Sequence, residues 1–147
     1  MIHGRKRAYC VLGLMLAGSM VLPAQEPDGS PRAVTFNKVL DFGSTGYVFP
    51  SGPVVQGTGG NLYGTTSQGG PGSSGAVYHV TPSGGSLTSL YTFGAQANCL
   101  DGAGPNSVVL STDGNFYGTT LGGGANSIGP GFNGADGTAF RLSPAVH

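Results

Sequence analysis

Charge is scarce in this chain: six Lys and Arg and six Asp and Glu stand among 147 residues, with no tryptophan and only two cysteines. So few basic side chains form no stripe that would neutralise a phosphate backbone, which excludes a nucleic-acid binder. They form no polybasic segment for an anionic membrane surface either. Neither the cysteines, Cys10 and Cys99, nor the three histidines make a pair at metal-ligand spacing, so no metal site is expected. No Gly-x-Ser-x-Gly elbow offers a nucleophile. The Gly-rich stretches at Gly69 to Gly75 and Gly122 to Gly137 are not followed by Gly-Lys-Ser/Thr and make no phosphate cradle. The reading is therefore of a protein that is not an enzyme and carries no cofactor.

Long apolar runs are also missing, with one exception near the amino terminus. His3, Arg5, Lys6 and Arg7 precede an uncharged, largely apolar run from Ala8 to Val21, and Leu22-Pro23-Ala24 then gives way to the polar Gln25. That order is a secretory signal helix cut after Ala24. The run is shorter than the roughly 20 residues a membrane-spanning helix needs, and no second run follows. Residues 1–24 are accordingly read as the signal, 25–33 as a linker, and the mature chain as a soluble protein outside the cell or on its surface, with no membrane span. Cleavage leaves Arg32, Lys38 and Arg141 against six acids, a net charge of −3.

Glycine is what the chain has in abundance, with 29 residues, alongside many Val, Leu, Phe, Tyr, Thr and Ser. This favours short strands joined by tight turns over helices. A repeat organises them. Asn61-Leu62-Tyr63-Gly64-Thr65-Thr66 returns 54 residues later as Asn115-Phe116-Tyr117-Gly118-Thr119-Thr120, and Val54-Val55 returns at the same offset as Val108-Val109. Gly75 to Pro82 matches Gly137 to Pro144 at an offset of 62, the extra residues falling in the Gly-rich loop, where insertions belong. A third block, Leu87 to Gly94, resembles Val34 to Gly43. Unit one thus holds four strand candidates: Val54 to Gly57, Asn61 to Thr65, Ala76 to Thr81 and Leu87 to Phe93. Thr58-Gly59-Gly60 and Thr112-Asp113-Gly114 read as hairpin turns. Four short antiparallel strands per unit of about 50 residues is the pattern of a β-propeller blade.

These blocks resemble the GloVer (Gloeo-Verruco) tandem-repeat family of exported bacterial proteins. Its unit reads D-G-N-L-Y-G-T-T, a Gly-Gly loop, G-T-V-F-K-L-x-P-x-G and L-Y-S-F. Asp113 to Thr120, Gly137 to Pro144, Asn61 to Thr66, Gly75 to Pro82 and Leu90 to Phe93 carry the likeness. The resemblance implies an all-β, propeller-like fold and a secreted or surface location, and no chemistry. Many units of this type place a cysteine pair after L-Y-S-F. Here Gly94 holds the first cysteine position and Cys99 the second, and with Cys10 in the signal no disulfide forms within the mature chain. An intermolecular bridge, a reactive thiol or decay of the motif are the readings of Cys99, and decay is favoured.

Two units, 54–94 and 105–147 with a first strand element at 34–43, are too few to close a propeller, which needs roughly four to eight blades. Val34 to Phe42 is expected to supply the last strand of unit two. A truncated member of a longer repeat protein is favoured over copies that assemble into one ring.

The ligand candidates are Tyr63, Tyr117, Asn61 and Asn115. The tyrosines suit stacking on a sugar ring, yet repeated aromatics more often fill the space between units. The asparagines, each after a glycine, are expected to satisfy turn backbone. Asp113 is read as a turn cap, His79 as a solvated strand residue aligned with Arg141, and Asp101, Asp113 and Asp136 as acids with nothing to unite them. The function expected is an exported structural or binding module, with self-association or further repeat units as partners. The alternative is a carbohydrate-binding or carbohydrate-active propeller fragment, with a glycan as partner. Mass measurement of the chain recovered from an exporting bacterium should find Gln25 as the first residue; a product that retains residues 1–24 contradicts the signal.

Overall fold

Tight glycine turns divide the chain into strands, and a computed structural model describes residues 34–126 and 136–144. The expected signal and linker, the middle of the long Gly-rich loop and residues 145–147 lie outside those residues. Seven strands form two antiparallel sheets. The first holds β1 (Tyr47–Gln56), β2 (Leu62–Gly69), β3 (Ala76–Val80) and β4 (Thr88–Thr92) in that order. The second holds β5 (Ala103–Leu110), β6 (Phe116–Gly122) and β7 (Ala139–Leu142). All seven strands belong to one compact unit, Asn37–His147.

The repeat is structural as well as textual. Val55 pairs with Tyr63 and Val109 with Tyr117 in the same register. Each β1–β2-type turn closes with the same two bonds: Gly57 N to Asn61 O and Ser111 N to Asn115 O, both 2.9 Å, and Gly60 N to Gly57 O (2.9 Å) and Gly114 N to Ser111 O (3.0 Å). Gly60 and Gly114 have φ of 83° and 80°, the left-handed conformation that closes such turns and that other residues resist. β1 starts at Tyr47, well before Val54. Pro50-Ser51-Gly52-Pro53 reads as a loop, but the pairing absorbs it as an irregularity between Ser51 and Val55. β5 carries the same irregularity between Pro105 and Ser107.

The two sheets stack face to face. Val77 and Phe93 from the first meet Val108 and Phe116 from the second, with Tyr63, Phe140 and Leu142 packed around them. Main-chain and hydroxyl bonds lock the stack: Gly104 N donates to Ser74 O at 2.8 Å, and Ser51 Oγ donates to Pro105 O at 2.8 Å. Close approach needs Gly75, where a Cβ would stand 2.9 Å from Pro105 Cδ.

On the other face of the first sheet, Tyr78 lies over Gly64, where a Cβ would come 2.7 Å from the ring, and Phe42 meets Tyr78 edge-on with centroids 5.4 Å apart. The second sheet repeats this arrangement. Phe140 lies over Gly118, where a Cβ would come 2.5 Å from the ring, and Phe93 meets Phe140 edge-on at 5.0 Å. Phe42 is therefore to the first sheet what Phe93 is to the second.

That equivalence corrects the expectation for Val34 to Phe42. Residues 34–41 form no strand, and Phe42–Ser44 is a 3-10 turn capped by the Asp41 carboxylate, which accepts from Gly43 N at 3.1 Å. Asn37, Lys38 and Asp41 are poor strand formers, and Lys38 Nζ holds the Asp41 carboxylate at 2.9 Å. Four strands hold for the first sheet; among the described residues the second has three.

One repeated position has diverged. Thr120 Oγ donates to Gly122 O at 2.8 Å, lies 2.9 Å from Thr138 Oγ and accepts from Thr138 N at 2.8 Å. The Thr138 position in unit one is Ala76, and the fully buried Thr66 hydroxyl, equivalent to Thr120, has no hydrogen-bond partner among the described residues. A buried unpaired hydroxyl costs stability that a valine of the same shape does not. Thr66→Val is expected to preserve stability or raise it by up to about 1 kcal/mol, whereas Thr120→Val lowers it by about 1–3 kcal/mol. Urea unfolding measures both, and equal losses at the two positions contradict the assignment.

Candidate functional site

The two repeated tyrosines occupy one register position and meet opposite surroundings. Tyr63 projects between the sheets, where its ring lies 4.3 Å from Phe116 and 5.7 Å from the stacked His79 ring. Tyr117 projects from the far face of the second sheet and is 37% exposed. The structure does not bring them together. Of the four candidate positions, Asn115 and Tyr117 share a site, and Asn61 and Tyr63 do not share it.

The site at Tyr117 is organised by Asp113. Its carboxylate accepts from Asn115 N at 3.0 Å, Asn115 Nδ2 at 2.9 Å and Tyr117 Oη at 2.8 Å. These bonds, that of the Asn115 side chain foremost, hold the Asp113 carboxyl far below the usual carboxylate range. Asp113 thus caps the turn and also fixes the tyrosine ring, presenting an exposed phenol beside an ionised carboxylate. Gly59 stands in the place of Asp113 in unit one, and Asn61 there contributes its carbonyl to the turn. Both asparagines close their turns through the main-chain carbonyl, and the Asn115 side chain donates to the Asp113 carboxylate and not to turn backbone.

Two cavities lie elsewhere. One of about 370 Å3 runs between Lys38 to Thr45 and the Gly85 to Leu87 turn, with the Lys38–Asp41 ion pair on its rim. The Lys38 hydrogen bond and then the Gly43 amide hold the Asp41 carboxyl below its ordinary value. The second, of about 200 Å3, lies between the sheets beside Phe93, Phe140 and Asp101. Asp101 accepts from Tyr91 Oη at 3.0 Å and from the amides of Ala95 and Gln96 at 3.2 and 3.3 Å, and so ties β4 to the following loop. Burial, then the Asp101 bond, pushes the Tyr91 phenol up. Asp136 accepts from Asn126 at 3.2 Å, so Asp101, Asp113 and Asp136 each have their own partners.

His79 departs from its expected solvated role. It is half-buried against Tyr63, and its Nδ1 is buried with no hydrogen-bond partner among the described residues. Cys99 is 4% exposed, its sulfur 3.7 Å from Ser74 Oγ, so the thiol is not presented to a second chain. Among the described residues no three His, Cys, Asp or Glu side chains gather as metal ligands do, and no helix is long and apolar enough to cross a membrane. Sequence reasoning missed the seating of Phe42 and Phe93 on Tyr78 and Phe140. The signal was present in the repeated Phe-Gly pairs at Phe42-Gly43 and Phe93-Gly94.

No curated protein and no solved structure matches the chain. The family model described as the Gloeobacter/Verrucomicrobia repeat matches residues 27–147, which takes in every strand of both sheets. The chain belongs to the Gloeobacter/Verrucomicrobia repeat family.

Proposed function

We propose that the chain is an exported, non-catalytic module of the bacterial cell exterior, a propeller-like scaffold of two units that displays Gly-rich loops. The observation that carries this reading is what the repeated residues do. Gly64 and Gly118 make room for Tyr78 and Phe140, Phe42 and Phe93 seat on those rings, and Asn61 and Asn115 close turns. Repeated positions are spent on aromatic packing and turn closure. The loop between the second and third strands is free to change length, as insertions in exposed connections are tolerated. Export rests on the basic and apolar opening of the sequence, and a binding role for the loops on their difference in length between the two units.

A second reading is carbohydrate binding, favoured by the exposed Tyr117 ring fixed beside Asp113 and Asn115. An aromatic face flanked by a carboxylate and an amide suits a sugar, whose ring stacks and whose hydroxyls donate. A glycan array probed with the full chain and with Tyr117→Ala separates the two. The scaffold reading predicts no signal that depends on Tyr117. Specific sugar binding that disappears in Tyr117→Ala while the β signal persists transfers the function to the second reading.

A further inference from the structure

The two ends of the stack have complementary deficits. In the first sheet, β4 pairs along the outer edge of β3 and then delivers Phe93 to Phe140 of the next sheet. In the second sheet, β7 has no outer partner among the described residues. Thr138 O accepts from Thr120 N, so Thr138 bonds inward, and by the alternation of an antiparallel ladder Ala139 and Arg141 turn their main-chain groups to the open edge. Among the described residues the second sheet thus has three strands and an open edge at β7.

At the other end, Phe42 seats on Tyr78 as Phe93 seats on Phe140. The segment that carries Phe42 occupies the place of a fourth strand's end, and among the described residues no sheet pairs with it. What the open edge can take, the opposite end of the molecule presents. The faces agree as well. Val55 and Tyr63 of the first sheet are packed against the second, whereas their equivalents Val109 and Tyr117 are 58% and 37% exposed, and Leu121 beside them is 62% exposed.

We infer that this open face and edge form the docking site for a second copy of the chain, joined head to tail. The segment from Asn37 to Phe42 of the incoming copy pairs along β7 by strand addition, and its first sheet covers Val109 and Tyr117. Leu62 of that copy then meets Tyr117 as Phe116 meets Tyr63 within one chain. Phe42 stays on its own Tyr78, while the exposed Lys38–Asp41 ion pair opens as the segment extends. The contact is heterologous, one surface meeting a different one, so copies add in one direction until a ring closes. It depends on the repeat geometry and not on export or on a ligand.

Sedimentation of the full chain across a concentration series tests it, with circular dichroism as the fold control. The wild type is expected to sediment as two or more copies. Val109→Asp combined with Leu121→Asp should weaken association about tenfold or more, because two apolar side chains lose their cover, with the β signal unchanged since both are exposed in one copy. Arg141→Pro should act alike by blocking the open edge; should it lose the β signal, the paired aspartate variant decides. A wild type with the mass of one chain at every concentration overturns the inference. So does an assembly that the paired aspartate variant leaves unchanged, as association through the apolar leader would be.

Discussion

One contact recurs on both sheets, and the rest of the structure depends on it: a phenylalanine set on an aromatic ring that lies over a glycine. Phe42 on Tyr78 above Gly64, and Phe93 on Phe140 above Gly118, are the two instances. Edge-on aromatic pairs at this spacing are favourable beyond the area they bury. The glycine is what admits them, because any side chain at that strand position would occupy the space of the ring. The Tyr-Gly-Thr-Thr block therefore reads as a strand with a socket, and the Phe-Gly block as the plug from the unit before it.

Much of the unusual composition follows from this mode of packing. A core assembled from aromatic plugs and small strand residues has little use for charge, and close sheet-to-sheet approach at Gly75 and turn closure at Gly60 and Gly114 consume glycine. Several polar groups inside the stack are hydroxyls and main-chain amides bonded to neighbouring main chain, as Ser51 and Thr65 are to carbonyl oxygens. Thr66 marks where such a set has lost a member, and Asp101 where a loop carboxylate has become a tie between strand and turn.

The order of the strands was legible because each was bracketed by glycine turns and repeated at fixed offsets. β3 and β4 fall where the repeat predicts them, and β2 begins there but runs four residues past Thr65 to Gly69 by pairing with the front half of β1. The front half of β1 was not legible, since Pro50 to Pro53 has loop composition and only the pairing with β2 makes it a strand. The segment before β1 was misread for the reverse reason. Val34 to Phe42 resembles a strand in sequence, but a strand needs a neighbouring edge, and here Asp41 caps a turn that directs Phe42 toward Tyr78. At the candidate site, the sequence identified Tyr63 and Tyr117 as equals. Their difference is set by stacking order, which places the Phe116 ring against Tyr63 and leaves Tyr117 on the far face, held by Asp113. Such differences are invisible in a repeat read one unit at a time.

The central claim is that a plug on a socket couples one unit to the next, and a double-mutant cycle at Phe93 and Phe140 addresses it most directly. Each phenylalanine is replaced by leucine alone and together, and the losses in unfolding free energy are compared. The account predicts a coupling of about 0.5–1.5 kcal/mol between the two positions. Strictly additive losses would show that the rings only fill space, and that the units are held together by something else.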